Sequence, residues 1–261
     1  MRYSIITVCF NAKKTISLCI ESVLSQDYKD FEYIIIDGSS NDGTKEILKA
    51  YGGRISKIIS EPDNGIYDAM NKGLALAQGD WILFLNSDDL LYEIRTLSNA
   101  AQFLIDREKN YYGIAEVVYQ GMPLYRKPNK LTPINFANEL PIHQTVFISK
   151  LYKDKRFDTR CKISADSIYL YELNKESNFH FIPVCVASFS LGGASSWYPN
   201  LSKYRTHLRE HIKFLSIKNS SISSKIYIIF AFTLKYLLSK ILSKNIYFKF
   251  VSYVAQSKEK F

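Results

Sequence analysis

Residues 3–85 alternate between short continuous apolar runs and amphipathic stretches. Tyr3 to Cys9 (YSIITVC) is β-branched and apolar throughout, the pattern of a strand buried on both faces. Past Thr15 the period lengthens. Ile16, Cys19, Ile20, Val23 and Leu24 recur at i, i+3, i+4, i+7 and i+8, one apolar stripe of a helix. Phe31 to Asp37 (FEYIIID) reads as a second buried strand, closed by the turn-forming run Gly38 to Gly43. The pattern then predicts a helix over 44–50, a strand over 55–60, a loop over 61–65, a helix over 66–77 and a strand over 81–85. Strands alternating with helices imply right-handed βαβ units, hence an α/β fold with a mostly parallel sheet flanked by helices. After residue 97 the alternation weakens, as expected where regular scaffold gives way to ligand-reading loops.

In such sheets ligands bind beyond the carboxyl ends of the strands. The residues placed there are Asn11, Asp37, Glu61, Asp63 and the run Asn86-Ser87-Asp88-Asp89. No Gly-x-Gly-x-x-Gly follows the first strand, and no Gly-Lys-Ser/Thr loop occurs, so dinucleotide and P-loop fingerprints are absent. A carboxylate rim without a phosphate-cradling glycine loop points to a divalent cation carrying the positive charge that a phosphorylated ligand requires.

Composition is ordinary for a globular chain, 47% hydrophobic and 23% charged, but the net charge is +9. That charge is unevenly distributed. Residues 203–261 hold 12 of the 34 Lys/Arg and only 2 of the 25 Asp/Glu, which leaves 1–202 slightly acidic. A nucleic-acid binder would carry its basic footprint on the domain that reads the ligand, so nucleic acid is excluded as a partner. Cys9, Cys19, Cys161 and Cys185 lack Cys-x-x-Cys spacing and read as buried thiols in a reducing compartment. No charged leader precedes the first strand, and a cytoplasmic location is expected.

The segments SIITVCFNAKKTISLCIESVLSQDY, YIIIDGSSNDGT and SEPDNGIYDAMNKGLALAQGDWILFLNSDD, in that order, resemble the family 2 glycosyltransferases with the GT-A (Rossmann-like) fold. The similarity is greatest to the bacterial branch that builds O-antigen, capsule and exopolysaccharide, and it covers roughly the first 200 residues. The resemblance implies that Thr7, Asn11 and Asp37 line the nucleotide pocket. Asp63, with the stretch to Asn71 and Lys72, would form the wall under a uridine. Asp88 and Asp89 match the metal-binding acidic motif and would hold Mn²⁺ or Mg²⁺. The first position of that motif is often Asp. Here it is Asn86, which keeps an oxygen donor but loses a charge. The competing reading makes Asp88-Asp89 the cap of a helix over 90–97.

In the family the catalytic base is a carboxylate opening a helix in the acceptor half, and Asp166 is the matching position. Inversion at the sugar C1 needs one such base to take the acceptor's proton. As a purely structural residue Asp166 would cap a helix over 167–173. His143 is a candidate for touching donor or acceptor, or else a hydrogen-bonded structural histidine. Gly192 to Ser196 resembles a loop that closes over the donor, with Gly193 and Ser195 as its candidate contacts.

Beyond Lys203, Leu234, Leu237, Leu238, Ile241 and Leu242 share one helical face, and Lys235, Ser239, Lys240, Ser243 and Lys244 the other. With the aromatic residues Tyr236, Tyr247, Phe248, Phe250 and Tyr253, this predicts a membrane-surface helix on anionic headgroups, the alternative being a helix packed on the catalytic domain with a solvated lysine face. The apolar run 226–234, between Lys225 and Lys235, is shorter than the ~20 residues a span needs.

The sequence reading is therefore a GT-A domain over 1–202 (nucleotide half 1–97, acceptor half 98–202) with a membrane-associating tail over 203–261. Its expected activity is inverting, metal-dependent transfer of a hexose, forming a β-linkage. The donor would be of the UDP-Glc, UDP-Gal or UDP-GalNAc type, and the acceptor a polyprenyl-diphosphate-linked glycan. The expected place is the cytoplasmic face of the bacterial inner membrane. The rivals are a sugar-nucleotide nucleotidyltransferase and a non-catalytic, membrane-tethered binding module.

Overall fold

The computed structural model describes residues 2–128, 140–193, 197–198 and 200–258, with side chains to residue 254. The expected alternation is present: β1 (Tyr3–Cys9), α1 (Ile16–Leu24), β2 (Phe31–Asp37), α2 (Thr44–Tyr51), β3 (Lys57–Ser60), α3 (Ile66–Leu76) and β4 (Trp81–Phe84). These strands run parallel in the order β3-β2-β1-β4. β1 is buried along its whole length, and its alternate residues serve opposite faces. Tyr3, Ile5 and Cys9 pack with Ile16, Cys19, Ile20 and Val23 of α1, while Ile6 and Val8 pack with Met70 and Leu74 of α3. Each such side chain contributes roughly 1.5–3 kcal/mol on full burial, so a two-faced strand needs apolar residues at every position. Gly73 lets α3 approach closely, because a Cβ there would lie 2.5 Å from a methyl of Ile6.

The second half adds β5 (Leu90–Leu91), α4 (Thr96–Ala101), β6 (Asn110–Tyr119), β7 (Met122–Lys127), β8 (Val146–Ser149), α5 (Ala165–Glu176) and β9 (Phe179–Ser190). These strands extend the same sheet in mixed sense. β8 is antiparallel to both β4 and β6, β6 is parallel to β9, and β5 and β7 form antiparallel edges. The sheet is thus parallel in its nucleotide half and mixed beyond it. The helix expected over 90–97 is not formed. Leu90 and Leu91 pair with Ser188 and Ala187, and the N–H of Leu91 donates to Ser22. Tertiary hydrogen bonding overrides local helical propensity here.

Three helices follow: α6 (Leu201–Ile217), α7 (Ile222–Ile241) and α8 (Lys244–Lys258). α6 is anchored by a buried carboxylate. Glu210 accepts the backbone N–H groups of Lys162 (2.6 Å), Ile163 (2.9 Å) and Ser164 (2.9 Å), the N-cap of α5 and the two residues before it. α8 is anchored by aromatic packing. Tyr247 and Phe248, expected at a membrane interface, are instead buried with Tyr119 and Trp197, because the β6–β7 edge offers them an apolar partner. α7 docks through Phe232 and Ser239, and its opposite stripe of Ile222, Ile226, Phe230, Leu237 and Ile241 is exposed. The apolar run over 226–234 is the middle of this 20-residue helix, which by length and composition could cross a membrane.

Candidate active site

The register of the parallel strands sets the site. Cys9 lies opposite Asp37, and Asp37 opposite Ser60, while the N–H of Leu85 at the end of β4 donates to Ile6. Above these strand ends opens one continuous cleft of about 1420 Å³. Gly38, Asp63, Asn86, Asp88, His143, Asp166 and Gly193 all line it.

The two neighbouring aspartates have different surroundings. Asp88 faces the cleft. Asp89 is buried, with one carboxylate oxygen accepting from the Gln144 amide at 2.6 Å and the other from the N–H of Ser190 at 2.8 Å. Burial pushes both carboxyls up, and the Asp88 charge raises Asp89 further while its two donors oppose the rise. Beside them the Asn86 side-chain oxygen is buried without a partner. Asn86 and Asp88 thus both line the cleft and carry hard oxygen atoms, one of them without a protein partner. Among the described residues no cluster of three or more His, Cys, Asp or Glu is present. That fits a Mg²⁺- or Mn²⁺-type ion whose remaining ligands are phosphate oxygens and water, since such ions use only one or two carboxylates.

Also in the cleft, Asp166 lies in the first turn of α5. It does not cap the helix; Ser164 holds that position. One Asp166 oxygen is 3.0 Å from Nδ1 of His143. The other accepts from the N–H of Ser167 (2.9 Å) and the Tyr67 hydroxyl (3.2 Å). Burial alone would raise this carboxyl. The hydrogen bond and charge of His143, helped by Ser167 and Tyr67, outweigh burial and hold it below its ordinary value. Asp166 is thus kept ionised. With Nδ1 engaged, Nε2 of His143 is buried without a protein partner.

Other expected contacts stand behind the cleft wall. Thr7 is buried against α1, within 3.0 Å of the Tyr33 hydroxyl and 3.7 Å of the Cys19 sulfur. The Asp37 carboxylate receives the Ser40 hydroxyl, the Ser40 N–H at 3.1 Å and the Ser60 hydroxyl at 2.6 Å, so it shapes the turn that brings Gly38 to the cleft. Asn11, at φ 53°, accepts from the N–H of Asn41 at 3.0 Å. Asn71 clamps both backbone groups of Phe157 (2.8 and 3.0 Å). Lys72 pairs with Glu61 at 2.7 Å. Asp63 accepts from the N–H of Gly65 at 2.9 Å and keeps a face toward the cleft. Gly193 lies close to Asp88, and its carbonyl accepts from Lys203 at 3.4 Å. Ser195 lies outside the described residues.

Sequence reasoning missed Tyr67, Gln144 and the pair His207 and His211. Tyr67 lay within a recognised segment and Gln144 next to His143, but neither residue type announces chemistry by itself. The histidines are spaced i, i+4 on α6 and line the cleft beyond Asp166. Burial pushes His207 down to about 3 and His211 down to about 4, with nearby lysines adding to the effect, so both are neutral near pH 7.

A family model described as glycosyl transferase family 2 matches residues 4–177. The chain is 36% identical over 119 residues to a PGL/p-HBAD biosynthesis glycosyltransferase of Mycobacterium tuberculosis, covering 44% of this chain and 46% of that protein. It is 40% identical over 127 residues to the Escherichia coli UDP-Glc:alpha-D-GlcNAc-diphosphoundecaprenol beta-1,3-glucosyltransferase WfaP, covering 46% and 49%. The chain thus spans about half the length of these relatives. Among solved structures, Staphylococcus aureus TarS 1-349 in complex with UDP superposes with a TM-score of 0.64 at 21% identity, covering 89% of this chain and 71% of that one. This last likeness is one of fold.

Proposed function

The chain belongs to glycosyl transferase family 2, and on that footing we propose that its cleft transfers a hexose from a UDP-sugar to a lipid-linked glycan in bacterial surface-polysaccharide synthesis. The observation that carries this reading is that two acidic centres line one cleft: Asn86 and Asp88, and Asp166 with His143. Cleaving a sugar–diphosphate bond needs a sink for negative charge on the leaving side and a base on the attacking side.

In this proposal Asp63 and the Gly38 turn face the nucleoside. Thr7, Asn11, Asp37, Asn71 and Lys72 hold the shape of that wall. Asn86 and Asp88 would hold the Mn²⁺ or Mg²⁺ ion, and Asp89, gripped by Gln144 and Ser190, fixes the loop that carries them. When bound, the ion neutralises charge growing on the departing diphosphate. Asp166, kept ionised by His143, accepts the proton of the acceptor hydroxyl, which attacks C1 from the opposite face and gives an inverted, β-linked product. Tyr67 remains a phenol, since burial and the Asp166 charge push its pKa far up, and so it orients the base as a donor. Nε2 of His143 is left for a substrate hydroxyl. Gly193, beside Asp88, and Ser195 belong to the loop proposed to close over the donor.

The proposed acceptor class follows the polyprenyl-diphosphate sugar in the name of the E. coli relative. The 203–261 tail, basic and with an exposed apolar stripe on α7, supports peripheral attachment to the anionic inner face of the bacterial inner membrane. Docking of α7 through Phe232 and Ser239 favours lying on the surface over crossing it.

The test is turnover by purified chain with Mn²⁺, UDP-glucose, UDP-galactose or UDP-GalNAc, and a GlcNAc-diphosphate lipid. Transfer, or slow donor hydrolysis without acceptor, is the expected result. Absence of both with every donor refutes the reading.

A further inference from the structure

The cleft is larger than its donor requires. Ligand pockets commonly measure roughly 300–1,000 Å³, whereas this one is about 1420 Å³ and runs on from Asp166 between the three tail helices. The walls of that extension change character with distance from the chemistry. Along α6 they pass from His207 and His211 to Phe214 and Leu215 and end at Lys218, spacings that keep one helical face toward the cleft. α7 contributes Ile228, Ala231 and Leu238, with Phe230 of its exposed stripe at the edge of the groove. α8 contributes Phe250, Val251 and Val254 at i, i+1 and i+4.

Every acidic residue lining the cleft (Asp63, Asp88, Asp166) is at the sugar-nucleotide end. The tail portion holds no carboxylate. It presents apolar side chains, two neutral imidazoles, and the ammonium groups of Lys218 and Lys235. A hydrophilic glycan would gain little from such walls. A long hydrocarbon attached to an anionic group matches the apolar walls, with the charge of Lys235 acting at His207.

We infer that the groove between α6, α7 and α8 seats the isoprenoid chain of the lipid-linked acceptor, threading it from the bilayer-facing side of the tail to the catalytic carboxylate. The inference rests on the acceptor class proposed above. It gives the tail a second part: besides reaching the membrane, it measures the acceptor's hydrocarbon. The neutral His207 and His211 lie where the chain meets its first polar group, and can hydrogen-bond there without bringing a charge into the apolar groove.

The experiment uses the full chain, photolabelled with benzophenone-tagged farnesyl diphosphate in detergent-free buffer and mapped by peptide mass spectrometry. Saturable labelling of Leu215, Ala231 or Val251 is expected, reduced about tenfold by undecaprenyl phosphate but not by inorganic diphosphate or UDP. Ala231→Trp and Val251→Trp, each first shown to melt like the parent, should lower labelling to a similar degree. Ile226→Ser, on the outer stripe, should leave it unchanged. Labelling confined to Ile226, Leu237 and Ile241 and removed by phosphatidylglycerol vesicles overturns the groove and leaves only bilayer contact, as does non-saturable labelling. Donor hydrolysis with Mn²⁺ is measured on the same preparation. Hydrolysis without groove labelling sinks this inference alone, whereas groove labelling without hydrolysis or transfer sinks the enzymatic reading instead.

Discussion

Replacing Glu210 tests whether the tail is a structural part of the catalytic half. Its carboxylate receives three backbone N–H groups at 2.6–2.9 Å, at the N-terminus of the helix that carries Asp166. Removing a partner from a buried donor costs roughly 1–3 kcal/mol per group, and a carboxylate at a helix N-terminus adds up to about 2 kcal/mol in partly buried settings. Lys162 is exposed, so water can replace Glu210 at that N–H, and the donors of Ile163 and Ser164 dominate. Glu210→Ala should therefore cost about 3–4 kcal/mol, on the order of 10 °C in melting temperature for a chain of this size. Glu210→Gln should lose much less, because its one amide oxygen can keep the N–H groups of Ile163 and Ser164, which share a single carboxylate oxygen, and its N–H₂ faces only the exposed Lys162 N–H. Circular dichroism gives the melting shift, and hydrogen exchange at 163–168 locates it. With Asp166 two residues into the frayed helix, turnover should fall while UDP affinity stays near that of the parent. A Glu210→Ala protein that melts within about a degree of the parent, with unchanged protection at the start of α5, would refute this reasoning.

Asp88→Ala should abolish Mn²⁺-dependent UDP binding, whereas Asp89→Asn, which keeps one of its two grips, should retain it in a less stable protein; calorimetry showing intact metal-dependent affinity in Asp88→Ala removes the ligand assignment. Asp166→Asn should bind donor normally and lose transfer, and parental transfer rates would reassign the base. His143→Phe deletes the group that holds the Asp166 carboxyl down, so burial prevails and the acid limb of the rate–pH profile moves to higher pH; an unmoved limb disproves the coupling. His207 and His211 are depressed to about 3 and about 4, so their stabilising contribution is full above the ordinary histidine range and is lost as pH falls below it, when only the unfolded chain takes up protons. Between pH 7 and 5 that amounts to roughly 2 kcal/mol per imidazole. His207→Gln with His211→Gln should flatten this loss, and denaturant melts across that range decide it.

The nucleotide half was legible because each of its strands is buried on both faces, so that strand and helix periods stand apart: β1 and β2 are observed at the bounds their apolar runs predict. The second half defeats that reading. β6 and β7 are joined by Gln120-Gly121, both at positive φ, a hairpin turn whose signal was available but lies between mixed polar flanks. β9 carries Pro183 where its pairing with β6 slips, and a proline inside a run argues against a strand unless a bulge absorbs it. Asp88 and Asp166 could be named from their motifs. That Asp89 turns inward could not, because its two donors, Gln144 and Ser190, are 55 and 101 residues away. The role of Glu210 was invisible for the same reason: nothing local marks a mid-helix glutamate as the acceptor for the segment that leads into another helix.

One 3-10 turn, His143–Thr145, touches both acidic centres: His143 holds Asp166, and its neighbour Gln144 holds Asp89. In such a turn successive side chains point about 120° apart, so two adjacent residues reach two different carboxylates, Asp166 and the buried Asp89. A single residue inserted between them would swing one side chain away and leave one centre unsupported, however conservative the insertion. The dipeptide works as a spacer with a fixed count. Libraries meant to alter sugar preference should vary the cleft around it and keep its length untouched.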